Sequence, residues 1–223
     1  MGDSQKPRSI QKHLKKCFEG INKVTFRALI PSDETELPQD EITCLVSKEG
    51  EKVQLIRTIR PHEYDGKVEE WLSRLEQSMK SSIQGVISEG LRDFPAATVE
   101  EGADHLSVST SELYAARVRW LKVWPSQVIL TVSQIIWTRQ VEESLNSYSM
   151  IVRLHQQSQA QLNQIVNLVR EKMPELLRLT LSSLIVQNVH SRDLVEQLAR
   201  KRVTDLEDFE WISQLRYYYI ADT

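Results

Sequence analysis

Beyond Pro61, apolar residues recur at three- and four-residue steps, the pattern of helices with one buried face. Val68, Trp71, Leu72, Leu75, Met79, Ile83, Val86 and Ile87 make one such face, and Glu69, Glu70, Arg74, Glu76 and Lys80 fill the opposite one. Pro95 disfavours helical geometry in the residue before it, so this helix is predicted to stop near Phe94. Leu113, Val118, Trp120, Leu121 and Trp124 predict a shorter helix. Pro125 suits the first turn of the next, where its missing N–H would have no partner anyway. Val128, Ile129, Val132, Ile135, Ile136, Val141 and Leu145 give that helix a strong stripe. Ile151, Leu154, Leu162, Ile165, Val166, Val169 and Met173 give another, set against a glutamine-rich face of Gln156, Gln157, Gln159, Gln161 and Gln164 and ending at Pro174. Two long helices joined this closely are predicted to lie antiparallel. Leu177, Leu181, Leu184 and Ile185 continue the series, a helix starting at Leu194 carries Val195 and Leu198, and Thr204 with Glu207 has the spacing of a capping box that opens Phe209, Ile212 and Leu215.

The first third reads differently. Ser9 to Phe18 is a short amphipathic helix, with Ile10, Leu14 and Cys17 or Phe18 on one side and Lys12, Lys15 and Lys16 on the other. Val24, Phe26 and Ile30 form an extended segment, and Pro31 to Glu41, acidic and broken by Pro38, a loop. Ile42 to Val46 and Val53 to Ile59 are β-branched runs around Lys48-Glu49-Gly50-Glu51, a hairpin pattern. Pro95 to Ser111 has no period and reads as a mobile loop. The expected fold is mainly α, an elongated multi-helix bundle with a small β-hairpin near the N-terminal third. Its expected parts are 1–66 with the short helix and hairpin, 67–110 with the long helix and loop, and 111–223 with the helical bundle.

Composition narrows the functional classes. Apolar residues are 40% and charged residues 26% of the 223, ordinary for a folded chain. With 28 basic and 31 acidic residues the net charge is −3, too weak a field to imply nucleic acid or an anionic membrane as partner. Cys17 and Cys44 share no paired spacing, so neither a zinc site nor a disulfide framework is indicated, and a reducing compartment is the natural reading. Met1 to Ile10 is polar, and no run approaches the ~18 apolar residues of a membrane span. A soluble, cytosolic chain is expected.

Catalytic patterns are weak. A phosphate-cradling loop needs an earlier glycine and a Lys followed by Ser or Thr, whereas Gly66-Lys67 is followed by Val68. His13, His62, His105, His155 and His190 are too dispersed for two to meet one zinc ion a helical turn apart. His190, Ser191 and Asp193 could be imagined as an acid–base and nucleophile group, but Ser191 or Asp193 as the cap of a helix beginning at Leu194 is the better reading. Arg200, Lys201 and Arg202 read as a solvated cationic helix end rather than a contact to acidic tubulin or phosphate. Trp71, Trp120, Trp124, Trp137 and Trp211 lie at or beside apolar stripes and read as core rather than ligand-stacking residues. No catalytic residue, cofactor or metal ligand is assigned.

Several blocks resemble the axonemal dynein heavy-chain linker in order and approximate spacing. They are Val68-Glu69-Glu70-Trp71-Leu72, Trp124-Pro125-Ser126-Gln127-Val128, and Val132-Ser133-Gln134-Ile135-Ile136-Trp137-Thr138 with Val141-Glu142. Leu179-Thr180-Leu181, Val189-His190-Ser191-Arg192-Asp193 and the long run Asp208-Phe209-Glu210-Trp211-Ile212-Ser213-Gln214-Leu215-Arg216-Tyr217-Tyr218 continue it. Cys17-Phe18-Glu19-Gly20-Ile21 and Ser47-Lys48-Glu49-Gly50-Glu51 extend it more weakly over nearly the whole chain. Ser191 stands where the family usually has Ala, Tyr219 where it has Trp, and the loop after Pro95 is longer.

The resemblance implies a helical lever across a ring of AAA+ modules, bending with a nucleotide cycle run elsewhere in the heavy chain. It implies no catalytic site in this chain, with partners in the AAA+ ring of the same heavy chain and, through the full complex, other dynein subunits and microtubules. It also implies a place in the cytoplasm and cytoskeleton, in the axoneme of the cilium. Phe209, Trp211, Leu215, Tyr217 and Tyr218 are then expected at the joint with the first module, and residues 112 to 200 as a stiff bundle beside a compliant loop after Phe94. A stand-alone helical scaffold that binds a partner through an amphipathic groove is the alternative.

Overall fold

The computed structural model describes residues 7–29, 39–65, 67–95 and 110–220. Most of the loops expected at Pro31 to Glu41 and Pro95 to Ser111 lie outside the described residues, and with them the compliance expected after Phe94. The architecture is mainly α with one small antiparallel sheet in the first third. Contacts divide the chain into two compact units, Met1–Val86 and Ile87–Thr223, and the division falls inside a single helix.

In the first unit, a 3₁₀ turn Pro7–Ile10 leads into α1 (Gln11–Cys17), followed by β1 (Ile21–Leu29), β2 (Gln39–Ser47) and β3 (Lys52–Ile59). The expected hairpin is β2–β3. Gly50, at φ 88°, supplies the left-handed residue of its turn, and the Ser47 hydroxyl accepts from the N–H groups of Glu49 and Glu51 at 3.2 Å each. The hairpin is not the whole sheet, because the extended segment around Val24 pairs with β2 as well, giving the order β1-β2-β3. β2 is therefore central and begins at Gln39, inside the stretch expected as loop. Leu14, Val24, Ile42, Leu45, Leu55, Ile59, Trp71 and Leu75 form the core of this unit.

Glu41, only 1% exposed, stands in the middle of this sheet. Its carboxylate accepts from Thr58 Oγ1 at 2.6 Å, from Arg60 Nε at 3.3 Å and from the Arg27 guanidinium, so one residue of β2 ties down β1 and the end of β3. The Thr58 hydroxyl, aided by the two arginines, holds the carboxyl below its usual pKa against the opposing effect of burial.

Helix side chains occupy part of each sheet edge. Gln11 of α1 donates through Nε2 to the Val24 carbonyl at 2.5 Å and accepts the Val24 N–H at 3.0 Å. After a second 3₁₀ turn, Pro61–Tyr64, comes α2 (Val68–Arg92). From α2, Ser82 accepts the Ile56 N–H at 2.9 Å and Ser78 donates to the Arg57 carbonyl at 2.5 Å. These hydroxyls satisfy groups of β3 that an edge strand would leave open. The buried line of α2 is thus Trp71, Leu75, Ser78 and Ser82, while Met79 and Ile83 are only half-buried. Gly85 extends that line, since a Cβ there would sit 2.9 Å from Ile56 Cδ1.

The second unit holds α3 (Thr110–Val123), α4 (Ser126–Ser144), α5 (Tyr148–Val169), α6 (Glu175–Lys201) and α7 (Phe209–Ile212). α3 is fastened to the end of α2 by two indoles: Trp120 Nε1 donates to Gly90 O at 3.0 Å and Trp124 Nε1 to Asp93 Oδ2 at 2.9 Å. Pro125 and Pro174 are the N-cap residues of α4 and α6. Ser126 meets Thr180 at 2.6 Å at the starts of α4 and α6, and Val141 and Leu145 share a core with Val195 and Leu198 at their ends. α4 and α6 therefore run parallel, with α5 antiparallel to both. Arg178 closes the end of α5, donating to the carbonyls of Val169 at 2.6 Å and Glu171 at 3.1 Å.

Two local expectations are corrected. No helix begins at Leu194: α6 is continuous from Glu175 to Lys201. Ser191 is buried in mid-helix, where it accepts from Gln134 Nε2 at 3.5 Å, and Asp193 pairs with Arg192 at 2.5 Å. Packing of Leu181, Leu184, Leu194 and Val195 on one side carries the helix through the polar block. Nor does Thr204 open the last helix. Arg202, at φ 54°, ends α6, and Asp208 caps α7 by accepting the Glu210 N–H at 2.8 Å.

Glu41→Gln is expected to cost about 2 kcal/mol, less than a fully buried pair because both arginines reach water. A carboxyl with a depressed folded pKa stabilises above its unfolded value of about 4.3 and loses that contribution as pH falls. Urea titrations from pH 7 to 3 should therefore show the wild type losing its advantage over Glu41→Gln on the acid side; a constant gap would contradict this. In the second unit, a Cβ at Gly90 would lie 2.6 Å from Val128 Cγ1, so Gly90→Ala is expected to cost about 2 kcal/mol in the same assay. No loss would show that Val128 yields freely.

Candidate functional site: the aromatic end of the helical unit

The blocks most specific to the resemblance gather at one end of the second unit. Trp211 of α7 is fully buried in a core with Val141, Leu145, Ile151, Leu154, Leu194, Val195, Leu198 and Val203. Its ring meets Trp137 of α4 edge to face, with centroids 5.7 Å apart, and the Arg216 guanidinium lies 5.9 Å from its ring centroid. The sequence FEWI is too short to persist as a helix alone. The Asp208 cap and the buried indole hold α7 in place.

Polar contacts secure its flanks. Glu210 receives Lys201 Nζ at 2.5 Å and Gln197 Nε2 at 2.8 Å, linking α7 to the last turns of α6. The Lys201 hydrogen bond, helped by Gln197, lowers the Glu210 carboxyl pKa. Past α7 the chain returns along α4, where the Tyr217 N–H donates to buried Thr138 Oγ1 at 3.1 Å and the Tyr218 hydroxyl to Glu142 Oε1 at 2.5 Å. The Glu142 hydrogen bond, with burial and the carboxylate charge, raises the Tyr218 pKa.

The five residues singled out from sequence thus divide. Trp211 points into this unit's own core, and Tyr217 and Tyr218 are partly exposed and tied to α4. Phe209 and Leu215 are 74% and 75% exposed, as is neighbouring Ile220 at 82%. The pattern is a strip anchored on its inner side and apolar on its outer side. Thr138, Glu142 and Glu210 stand within the resembling blocks, but their role in holding the strip does not follow from the pattern. Thr138 and Glu142 do lie one helical turn apart on α4, and Asp208 two residues before Glu210 carries the signature of a cap.

The basic cluster of α6 is engaged in separate contacts. Arg200 pairs with Glu196 at 2.6 Å, Lys201 with Glu210, and Arg202 lies 5.5 Å from the Tyr148 ring centroid. Among the described residues no group of three or more His, Cys, Asp or Glu could hold a metal ion, and no helix is long and apolar enough to cross a membrane. Cys17 is exposed and Cys44 buried, both as free thiols.

Comparison with known proteins gives the class first. The family model for the dynein heavy chain, N-terminal region 2, matches residues 1–90. Dynein axonemal heavy chain 3 of Homo sapiens is 38% identical over 221 residues, 99% of this chain and 5% of the relative. Dynein axonemal heavy chain 1 of Mus musculus is 35% identical over 222 residues, 100% of this chain to the nearest per cent and 4% of that protein. Dynein axonemal heavy chain 12 of Homo sapiens is 34% identical over 220 residues, 98% of this chain and 6% of that protein. The chain belongs to the axonemal dynein heavy chains and spans only 4% to 6% of the length of these relatives.

Removing the Trp211 side chain leaves a cavity in the core shared by α4, α5 and α6, so Trp211→Ala is expected to cost about 4 kcal/mol. Phe209→Ala, at an exposed position, should stay within about 0.5 kcal/mol. Chemical denaturation followed by helical circular dichroism checks both, and similar losses for the two would contradict the division between anchor and surface.

Proposed function

We propose that this chain is part of a dynein heavy-chain linker, the lever that couples ATP hydrolysis in the AAA+ ring to microtubule-based movement in the axoneme. The observation that carries the reading is the C-terminal strip. Trp211, Tyr217 and Tyr218 fix it to a packed helical unit, while Phe209 and Leu215 face outward with no cover among the described residues. A lever needs such a joint, rigid toward its own body and adhesive toward the next. Phe209, Trp211, Leu215, Tyr217 and Tyr218 form this joint, Trp211 as the internal anchor and the others at or near its surface. The partner there is the AAA+ ring of the same heavy chain, and other dynein subunits and microtubules are reached through the assembled complex. Nucleotide chemistry belongs to the ring, with the chain acting in the cytoskeleton of the cilium.

The parallel α4 and α6 with antiparallel α5 between them support a stiff element, since each helix is held by its two neighbours. Residues 111–223 form the helical part that leads to the joint, 67–110 the long helix and loop, and 1–66 the sheet-bearing segment.

The test is a full-length axonemal heavy chain carrying Phe209→Ser and Leu215→Ser together. Apolar anchors at the centre of an interface are worth about 2 kcal/mol each. Gliding of microtubules is expected to slow at least tenfold while basal ATP turnover persists, because force transmission is lost and catalysis is retained. Unchanged gliding would remove the joint. A second arm measures the 223-residue chain alone, which should hydrolyse no ATP above background; turnover there would overturn the assignment of catalysis to the ring.

A further inference from the structure

The second unit contains a cavity of about 90 Å³ among α3, α4, α5 and α6, and Trp137, whose ring meets Trp211 of α7, is one of its walls. Several waters, or a ligand of a few non-hydrogen atoms, fit such a volume. Its lining is mostly apolar but includes several amide side chains. The expected glutamine-rich face of α5 is not wholly solvated, because Gln161 and Gln164 turn toward this space, and Asn188 of α6 faces it too. None of these three side chains has a hydrogen-bond partner among the described residues.

Two buried donors complete the arrangement. Arg117 Nε and Trp137 Nε1 both have no partner, and both residues line the cavity. The Arg117 guanidinium stacks on Phe94 at 5.3 Å from the ring centroid and meets no carboxylate among the described residues. Burial alone pushes its pKa down. A buried cation without counter-charge is costly, and proteins meet that cost with a paired anion. Guanidinium and indole N–H groups are donors only, so what they lack is an acceptor. Aromatic and aliphatic walls beside them favour an acceptor carried on an apolar stem.

We infer that this cavity is a recognition site for a carboxylate on a short aliphatic stem, received by Arg117 and Trp137 and flanked by the amides of Gln161, Gln164 and Asn188. The same chemistry is offered by a free small acid and by a glutamate side chain of another polypeptide segment.

The experiment uses the 223-residue chain labelled with nitrogen-15 at its indoles, the Trp137 signal being assigned by its loss in Trp137→Phe. Propionate is expected to shift this signal to saturation, and propionamide, its neutral isostere, to bind at least about tenfold more weakly, as loss of a charge-assisted hydrogen bond demands. Arg117→Met should abolish the propionate response. The comparison of the two probes in the unaltered chain stands even where that variant fails to fold. N-acetylglutamate N-methylamide separates the sources. Tighter binding than propionate supports a polypeptide side chain, and equal or weaker binding supports a free acid. Equal responses to propionate and propionamide, or none to either, would overturn the inference and leave a cavity filled by water.

Discussion

The second unit depends on one apolar seam, in which Trp211 completes a core begun by α4, α5 and α6. Each long helix has an amphipathic face, and at one end of the unit these faces converge where Val141, Leu145, Ile151, Leu154, Val195 and Leu198 meet. Adding a buried indole there makes a four-residue helix as much a part of the body as its 27-residue neighbour α6. The cap at Asp208 and the bonds to Thr138 and Glu142 set the direction of the chain on either side of that indole. What the strip presents outward is therefore decided by what it buries inward.

The first unit is organised by a different constraint, the need to satisfy polar groups around a small sheet. Three strands alone cannot protect their edges or a carboxylate at their centre. Glu41 is kept ionised by Thr58 and two arginines, and the outer strands borrow partners from Gln11, Ser78 and Ser82. α2 contributes residues to both units, its serines to the sheet and Gly90 to the helices. Gly90 leaves room for Val128 where any side chain would intrude.

Much of this was legible in the residues. Large apolar side chains at helical spacing located α2 to α6, because burying them is the dominant favourable term and leaves a periodic trace. Small and polar residues misled where they do structural work. Ser78 and Ser82, polar residues outside the apolar stripe of α2, lie buried against β3. Ser191 and Asp193 look like a cap but sit inside α6, since helix continuity is decided by the flanking leucines and not by one local hydrogen bond. The segment around Val24 reads as extended, but its pairing with β2 leaves no trace in the local pattern, because β-regularity depends on the partner strand. Of the aromatic strip, the family pattern supplies only the expectation that Phe209, Trp211, Leu215, Tyr217 and Tyr218 act together. Their division between buried Trp211 and exposed Phe209 and Leu215 was not legible, because a short amphipathic turn does not say which side meets its own bundle.

The helix-borne side chains on the two outer strands also set a limit to sheet growth. An open strand edge is a template that a foreign chain can extend, in the manner of fibril assembly. Here Gln11 occupies part of one template and Ser78 with Ser82 part of the other, so self-propagating strand addition is hindered in both directions.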